Sequence, residues 1–161
     1  MLLIHGIPVW SCLWKDCIAL LTAHYINKLI IPDLVGYGYS DQRDRFDRSI
    51  KVQSRTISQL LGQLNIEDLC VVGHDIGGVV AQRFVVDHAD RVLKWVLMDS
   101  VLYDSWPAEP MVRLGNPKQH YNTKGDELAK KFIERLSAGF HHKDRASEDM
   151  LAGWMAPGKA G

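Results

Sequence analysis

Leu69-Cys-Val-Val-Gly-His-Asp-Ile-Gly-Gly-Val-Val-Ala-Gln-Arg83 is the stretch on which the fold turns. Its first residues, Leu69 to Val72, form a short apolar run, the pattern of a strand buried in a parallel sheet. Gly73, Gly77 and Gly78 bracket Asp75, and an apolar-periodic segment begins at Val79. Strand, sharp turn and helix are predicted, with one reactive side chain at the apex. Small residues on both sides of the apex let strand and helix approach closely. The usual form of such a turn is G-x-S-x-G, and in Gly73-His-Asp-Ile-Gly77 the apex is Asp75 instead. A carboxylate needs no base to become a nucleophile, and its attack on carbon leaves an ester. A plainer account stays open: aspartates in glycine-flanked turns often do no more than satisfy nearby backbone N–H groups.

Two further motifs precede this turn, Leu2-Leu-Ile-His-Gly-Ile-Pro8 and Pro32-Asp-Leu-Val-Gly-Tyr-Gly-Tyr-Ser-Asp41. With Gly73-His-Asp-Ile-Gly-Gly78 they cover roughly the first hundred residues, a single-domain span. In this order and spacing they resemble an α/β-hydrolase of the Asp-nucleophile branch, which holds epoxide hydrolases and haloalkane dehalogenases. The resemblance implies a hydrolase that works through a covalent alkyl-enzyme ester on Asp75, with an epoxide- or halide-type small apolar substrate and no cofactor. It assigns the backbone N–H groups of Ile7 and Ile76 to an oxyanion hole, where donors stabilise the charge that develops as water attacks the ester.

The same resemblance marks departures. The activating histidine of the family follows its last strand, and no residue here matches it. The acid that orients that histidine usually follows the seventh strand; in one dehalogenase subgroup it ends the sixth, which falls on Asp99. The plainer account of Asp99, a strand-end carboxylate bonded to a loop amide, is preferred. Similar dehalogenases place asparagine after His-Gly and tryptophan after the nucleophile to hold the departing halide. Ile7 and Ile76 offer no such side-chain donor. Cap tyrosines protonate the epoxide oxygen in similar epoxide hydrolases, and Tyr121 lies in the right region. Trp106 and Trp154 could line an apolar pocket, although packing explains all three aromatics equally well.

Chain-wide properties narrow the remaining classes. At 161 residues the chain can hold one domain with a real core plus an appendage. Lys+Arg and Asp+Glu are both 19, so no net field recruits nucleic acid or an anionic membrane. No apolar run approaches the ~18 residues of a membrane span, and Leu2-Leu-Ile4 is too short for a signal peptide. Cys12, Cys17 and Cys70 show no metal-type spacing, and reduced thiols in a cytoplasmic protein are expected. Nucleotide binding fails locally, because Gly73-x-x-x-Gly77-Gly78 is not G-x-G-x-x-G. His5 and His74 flank the turn but are expected to orient loops. His141-His142 are adjacent, and adjacent residues rarely converge on one metal ion. No metal is expected.

The order of elements predicts an α/β fold: a parallel sheet of about four strands covered by helices, a partial α/β-hydrolase core, followed by the start of a helical cap. The strands are expected at Met1 to Ile4, Leu29 to Ile31, Leu69 to Val72 and Val92 to Met98. Trp14, Cys17, Ile18 and Leu21 lie on one helical face, as do Ile57, Leu60, Leu61 and Leu64. The second helix is expected over Ser49 to Leu64 with Asp47 as its N-cap. Ser105-Trp-Pro-Ala-Glu-Pro110 breaks the composition and divides a core, 1–105, from a cap region and tail, 106–161. Beyond the break, Ala129, Phe132, Ile133 and Leu136 mark one helix, and Ser147 to Trp154 a second capped by Ser147. In the resembled family the four strands would be a contiguous block with both flanks stripped, which suggests a truncated chain. Two open sheet edges would then invite a partner, a second copy of the chain included. A hydrolase acting on a small-molecule substrate and a non-catalytic remnant that binds a ligand or dimerises are the two readings carried forward.

Overall fold

The apolar run at Leu69 is strand β2 (Leu69–His74), the middle of a parallel sheet ordered β1-β2-β3, with β1 at Leu2–Ile4 and β3 at Val92–Met98. The computed structural model describes residues 1–23, 28–101, 105, 112, 125–142 and 146–159. They fall into two units, Met1–Val101 with Pro157–Gly161, and Leu102–Ala156.

Parallel neighbours cannot be joined by a tight turn, so a helix must return the chain across the sheet. Two helices do this: α2 (Ile50–Gln63) leads into β2, and α3 (Ile76–Asp87) joins β2 to β3. Both pack on one face. Ile57 and Leu61 from α2 and Val80, Ala81 and Phe84 from α3 share a core cluster with Leu2, Ile4, Leu69 and Val71. The spacing of Gly77, Val80, Ala81 and Phe84 along α3 is the stripe that one buried helix face requires.

Four expectations need correction. Leu29–Ile31 is no strand but a single bridge from Ile30 to Leu2, with Ile30 N–H bonding Met1 O at 2.9 Å and Leu3 N–H bonding Ile30 O at 2.9 Å. Pro32 follows at once and has no N–H to extend the ladder, so the sheet has three strands among the described residues. β2 is not buried on both faces: Leu69, Val71 and Gly73 are buried while Cys70, Val72 and His74 are half-buried. The first helix, α1 (Lys15–Ala23), follows a 3-10 turn at Ser11–Trp14 and buries no residue of its own. Only Trp14 of its expected stripe is buried, and Ile18 stays 39% exposed. Finally, Ser49 and not Asp47 caps α2. The Ser49 hydroxyl accepts from Val52 N–H at 3.4 Å, while Asp47 accepts from the Ser49 amide at 2.8 Å and hydroxyl at 3.1 Å. Asp47 therefore orients the cap from two residues before it.

In the second unit the expected helices are α4 (Gly125–Ala138) and α5 (Glu148–Met155). Ser147 caps α5, accepting from Met150 N–H at 3.2 Å. Phe140 and Trp154 stack with ring centroids 5.8 Å apart. Among the described residues no helix is long and apolar enough to cross a membrane.

Candidate active site

Asp75 stands between the last residue of β2 and the first of α3, at φ 55 and ψ −124. An L-residue reaches this region only under constraint, at a cost on the order of 1–3 kcal/mol. The surrounding backbone supplies the constraint. Asp75 N–H donates to Met98 O at 3.1 Å, and Asp75 O accepts from Gly78 N–H at 3.0 Å and from the Ser100 hydroxyl at 3.1 Å. Met98 and Ser100, at and just after the end of β3, thus hold Asp75 by both its N–H and its carbonyl.

The side chain is held by the loop after β1. Ile7 N–H donates to Asp75 Oδ1 at 2.8 Å, whereas Oδ2 accepts no hydrogen bond among the described residues. Gly6 makes this approach possible: a Cβ there would collide with Asp75 Cβ and lie 2.7 Å from Oδ1. Ile76 opens α3, so its N–H is one of the first-turn donors that have no partner within the helix. No hydrogen bond joins it to the Asp75 carboxylate. Of the residues singled out in the sequence, Asp75, Ile7 and Ile76 therefore share one locus.

The others do not gather there. Asp99 follows β3 with φ 42 and an exposed side chain, and it makes no hydrogen bond or ion pair among the described residues. The loop amide expected as its partner is not seen. Trp154 belongs to the second unit, where it meets Phe140. Trp106 and Tyr121 lie outside the described residues. His141 and His142 face each other at 4.8 Å, and no cluster of metal-type ligands occurs among the described residues. The Nδ1 atom of His74 is buried without a partner. Cys12, Cys17 and Cys70 are free thiols, and burial raises the Cys12 pKa to about 11.

Three supporting residues escaped the sequence reading. Asp33 appeared there only within the Pro32–Asp41 motif, yet its Oδ1 accepts from Ser11 N–H at 2.8 Å and its Oδ2 from Tyr39 N–H at 2.9 Å. It ties the segment after Pro8 to the glycine turn at 36–41. An aspartate just ahead of Gly-x-Gly is the detectable signal, since carboxylates anchor turns through backbone amides. Gln53, buried in α2, brackets Val35 by accepting from its N–H at 2.9 Å and donating to its carbonyl at 2.8 Å. Ser100 carries no such signal. A cavity of about 430 Å³ lies between this loop and α2, lined by Asp33, Val35, Ser40, Gln53, Thr56 and Gln63 among others. Its lining includes neither Asp75 nor Ile7, so the polar geometry and not the concavity locates the site.

His5 is fully buried, with Nδ1 donating to Gly6 O at 2.9 Å and Nε2 accepting from Leu34 N–H at 2.9 Å. Burial lowers its pKa; the bond to Gly6 and the charges of Asp33 and Asp75 oppose that shift, and His74 adds to it. A depressed histidine pKa means that the unfolded chain binds more protons. Stability from His5 is then fully present above the unfolded value near ~6.5 and is lost as pH falls toward the folded value. Urea midpoints should therefore decline from pH ~7.5 to ~5.5, and His5→Asn should flatten that part of the slope. An unchanged slope in the variant would show that His5 does not carry the effect.

A parallel sheet with an acid presented beyond the carboxyl end of its middle strand is the arrangement in which α/β proteins hold small ligands. The match to known proteins is more specific. Residues 1–139 match the family described as alpha/beta hydrolase fold. The chain belongs to that family. It is 29% identical to haloalkane dehalogenase 2 of Mycobacterium tuberculosis over 97% of its own length and 54% of the relative's. A solved alpha/beta hydrolase fold protein from Burkholderia ambifaria superposes with a TM-score of 0.74 at 26% identity, covering 97% of this chain and 56% of that one. The putative ancestral haloalkane dehalogenase AncHLD2 gives 0.71 at 25% identity, covering 97% and 55%. The chain thus spans about half the length of the proteins it matches.

Proposed function

We propose that Asp75 is the nucleophile of a hydrolase that acts on small apolar alkyl halides or epoxides through an alkyl-enzyme ester. One observation carries the reading: Ile7 N–H holds Oδ1 at 2.8 Å and leaves Oδ2 unengaged. Attack by Oδ2 forms a C–O bond to the substrate carbon and breaks its bond to halide, which leaves with the electron pair. With an epoxide, the ring C–O bond breaks and the alkoxide takes up a proton from solvent water. Oδ1 becomes the ester carbonyl oxygen. When water attacks the ester carbon, negative charge collects on that oxygen, where the Ile7 and Ile76 N–H groups receive it. Relatives called haloalkane dehalogenases favour a halide, while the apolar side chains of Ile7 and Ile76 give the departing halide no donor.

Among the described residues, no histidine is hydrogen-bonded to the Asp75 side chain as a water-activating base would be placed. Both nitrogens of His5 are engaged. An ester on Asp75 should then form once and persist, since its hydrolysis depends on a base. Incubation with a primary alkyl bromide or with styrene oxide, followed by intact-mass and peptide mass spectrometry, tests this. A stable adduct on Asp75 is expected. No adduct across a broad panel of halides and epoxides would overturn the reading.

A second reading rests on β3. Leu93, Trp95, Val96 and Met98 are 65, 47, 51 and 44% exposed, on a strand whose far edge pairs with nothing among the described residues. We infer that this edge pairs with a second copy of the chain, making a non-catalytic, dimerising module. Size-exclusion chromatography with light scattering should then show concentration-dependent association, which Val96→Lys weakens by placing charge on the paired surface. A wild-type monomer at all concentrations would remove this reading.

A further inference from the structure

The Gly6 carbonyl and the Ile7 N–H are two ends of one peptide group. His5 Nδ1–H bonds the carbonyl end at 2.9 Å, and the N–H end bonds Asp75 Oδ1 at 2.8 Å. From this juxtaposition we infer that His5 is a positioning residue for the Ile7 amide. It sets the plane of the Gly6–Ile7 peptide and polarises it toward Asp75. The inference rests on the reading of that amide as an oxyanion donor and adds to it the group that aims it.

The ring itself has no freedom to do otherwise. Leu34 N–H can only donate, so the His5 Nε2 atom it meets at 2.9 Å must accept. In a neutral imidazole the proton then sits on Nδ1, the atom facing the Gly6 carbonyl. Burial favours the neutral ring, and complete exclusion from solvent removes water as a competitor for either nitrogen. Tyr37 closes the remaining side with its ring edge, 5.7 Å between centroids. The hydrogen bonds run in one direction, from Leu34 N–H through the imidazole to the Gly6 carbonyl and out through Ile7 N–H to the carboxylate. Aligned bonds of this kind polarise one another and strengthen the terminal donor. Gly6 is itself barred from gaining a side chain by Asp75, so the peptide cannot be aimed from that position. Aim has to come from its carbonyl end.

Two substitutions separate positioning from mere packing, because each keeps one half of the imidazole's bonding. In His5→Asn the side-chain N–H₂ replaces Nδ1–H toward Gly6 O and the acceptor for Leu34 is lost. In His5→Gln the side-chain oxygen reaches the Nε2 position for Leu34 N–H and the donor to Gly6 is lost. The Ile7 N–H bond to Oδ1 also fixes where the attacking Oδ2 points, so the lost aim in His5→Gln should lower the rate of Asp75 alkylation by an alkyl bromide about tenfold through misplacement of the nucleophile. His5→Asn should recover most of it. A merely structural role would instead make both rates follow melting temperature.

The Ile7 amide proton, read by NMR, reports the same thing without chemistry. It should keep its downfield shift in His5→Asn and lose it in His5→Gln. If the wild type alkylates nowhere but these shifts behave as stated, the nucleophile reading fails and the positioning of the amide stands. Equal Ile7 shifts and equal rates in the two variants would overturn the positioning role. Should neither variant fold, the wild-type imidazole nitrogens decide: a protonated Nδ1 with a bare Nε2 is expected, and the opposite tautomer refutes the inference.

Discussion

Asp75→Asn should abolish covalent labelling while leaving the fold intact. The substitution removes the unengaged oxygen's charge and so its nucleophilicity, and a neutral amide does not displace halide from carbon. It keeps an oxygen that can accept the Ile7 N–H bond now made at 2.8 Å. It also suits the backbone, because asparagine is enriched several-fold among non-glycine residues at positive φ, and Asp75 sits at φ 55. The circular dichroism spectrum should be unchanged, and the melting temperature should stay close to that of the wild type. Intact-mass measurement after incubation with an alkyl bromide is the assay. Complete loss of the adduct with retained structure is expected. An adduct of undiminished yield on the variant would place the alkylated residue elsewhere, with the exposed Cys17 thiol the first to map.

The part of the site that was legible in the sequence is the part written in backbone chemistry. Glycines at 73, 77 and 78 announce where strand and helix must close on one another, and His-Gly announces a loop whose amide can face that closure. Positions such as Gln53 and Ser100 were not legible as supports, because each acts on a segment distant in sequence. Gln53 reaches Val35, and Ser100 reaches Asp75. Single-sequence periodicity describes an element's own face and not its neighbour's needs. The misread elements share another cause. Leu29–Ile31 and the stripe of α1 are apolar enough for burial, but apolar content signals burial without saying what provides it. Ile30 is buried in the core yet joins the sheet only through a single bridge, and Ile18 meets solvent. β3, expected beside an open edge, leaves Leu93, Trp95, Val96 and Met98 exposed.

The closeness of α3 to β1 makes glycine substitutions the largest test of the fold, and two glycines should respond with opposite signs. At Gly77 an added Cβ would collide with the carbonyl oxygen of His5 and lie 2.5 Å from that of Ile4. Both belong to backbone at the middle of the first unit, with Leu2, Leu3, Ile4 and His5 no more than 1% exposed. Neither can swing aside as a flexible side chain would. The start of α3 has to lift instead, parting packed surfaces and drawing Asp75 away from Ile7. Overpacking of this kind costs on the order of 3 kcal/mol, a large share of a small domain's stability. At Gly62, near the end of α2, nothing lies within 4 Å of the added Cβ. There the methyl group only restricts the unfolded chain and favours the helix, for a gain of about 0.5–1 kcal/mol. Urea unfolding of Gly77→Ala and Gly62→Ala should move the midpoint down and up respectively. The first should also slow alkylation of Asp75, because the same displacement spoils the geometry of the turn. A Gly77→Ala protein as stable as the wild type would mean that helix and strand do not approach as closely as described, and the held carboxylate would lose its structural basis with them.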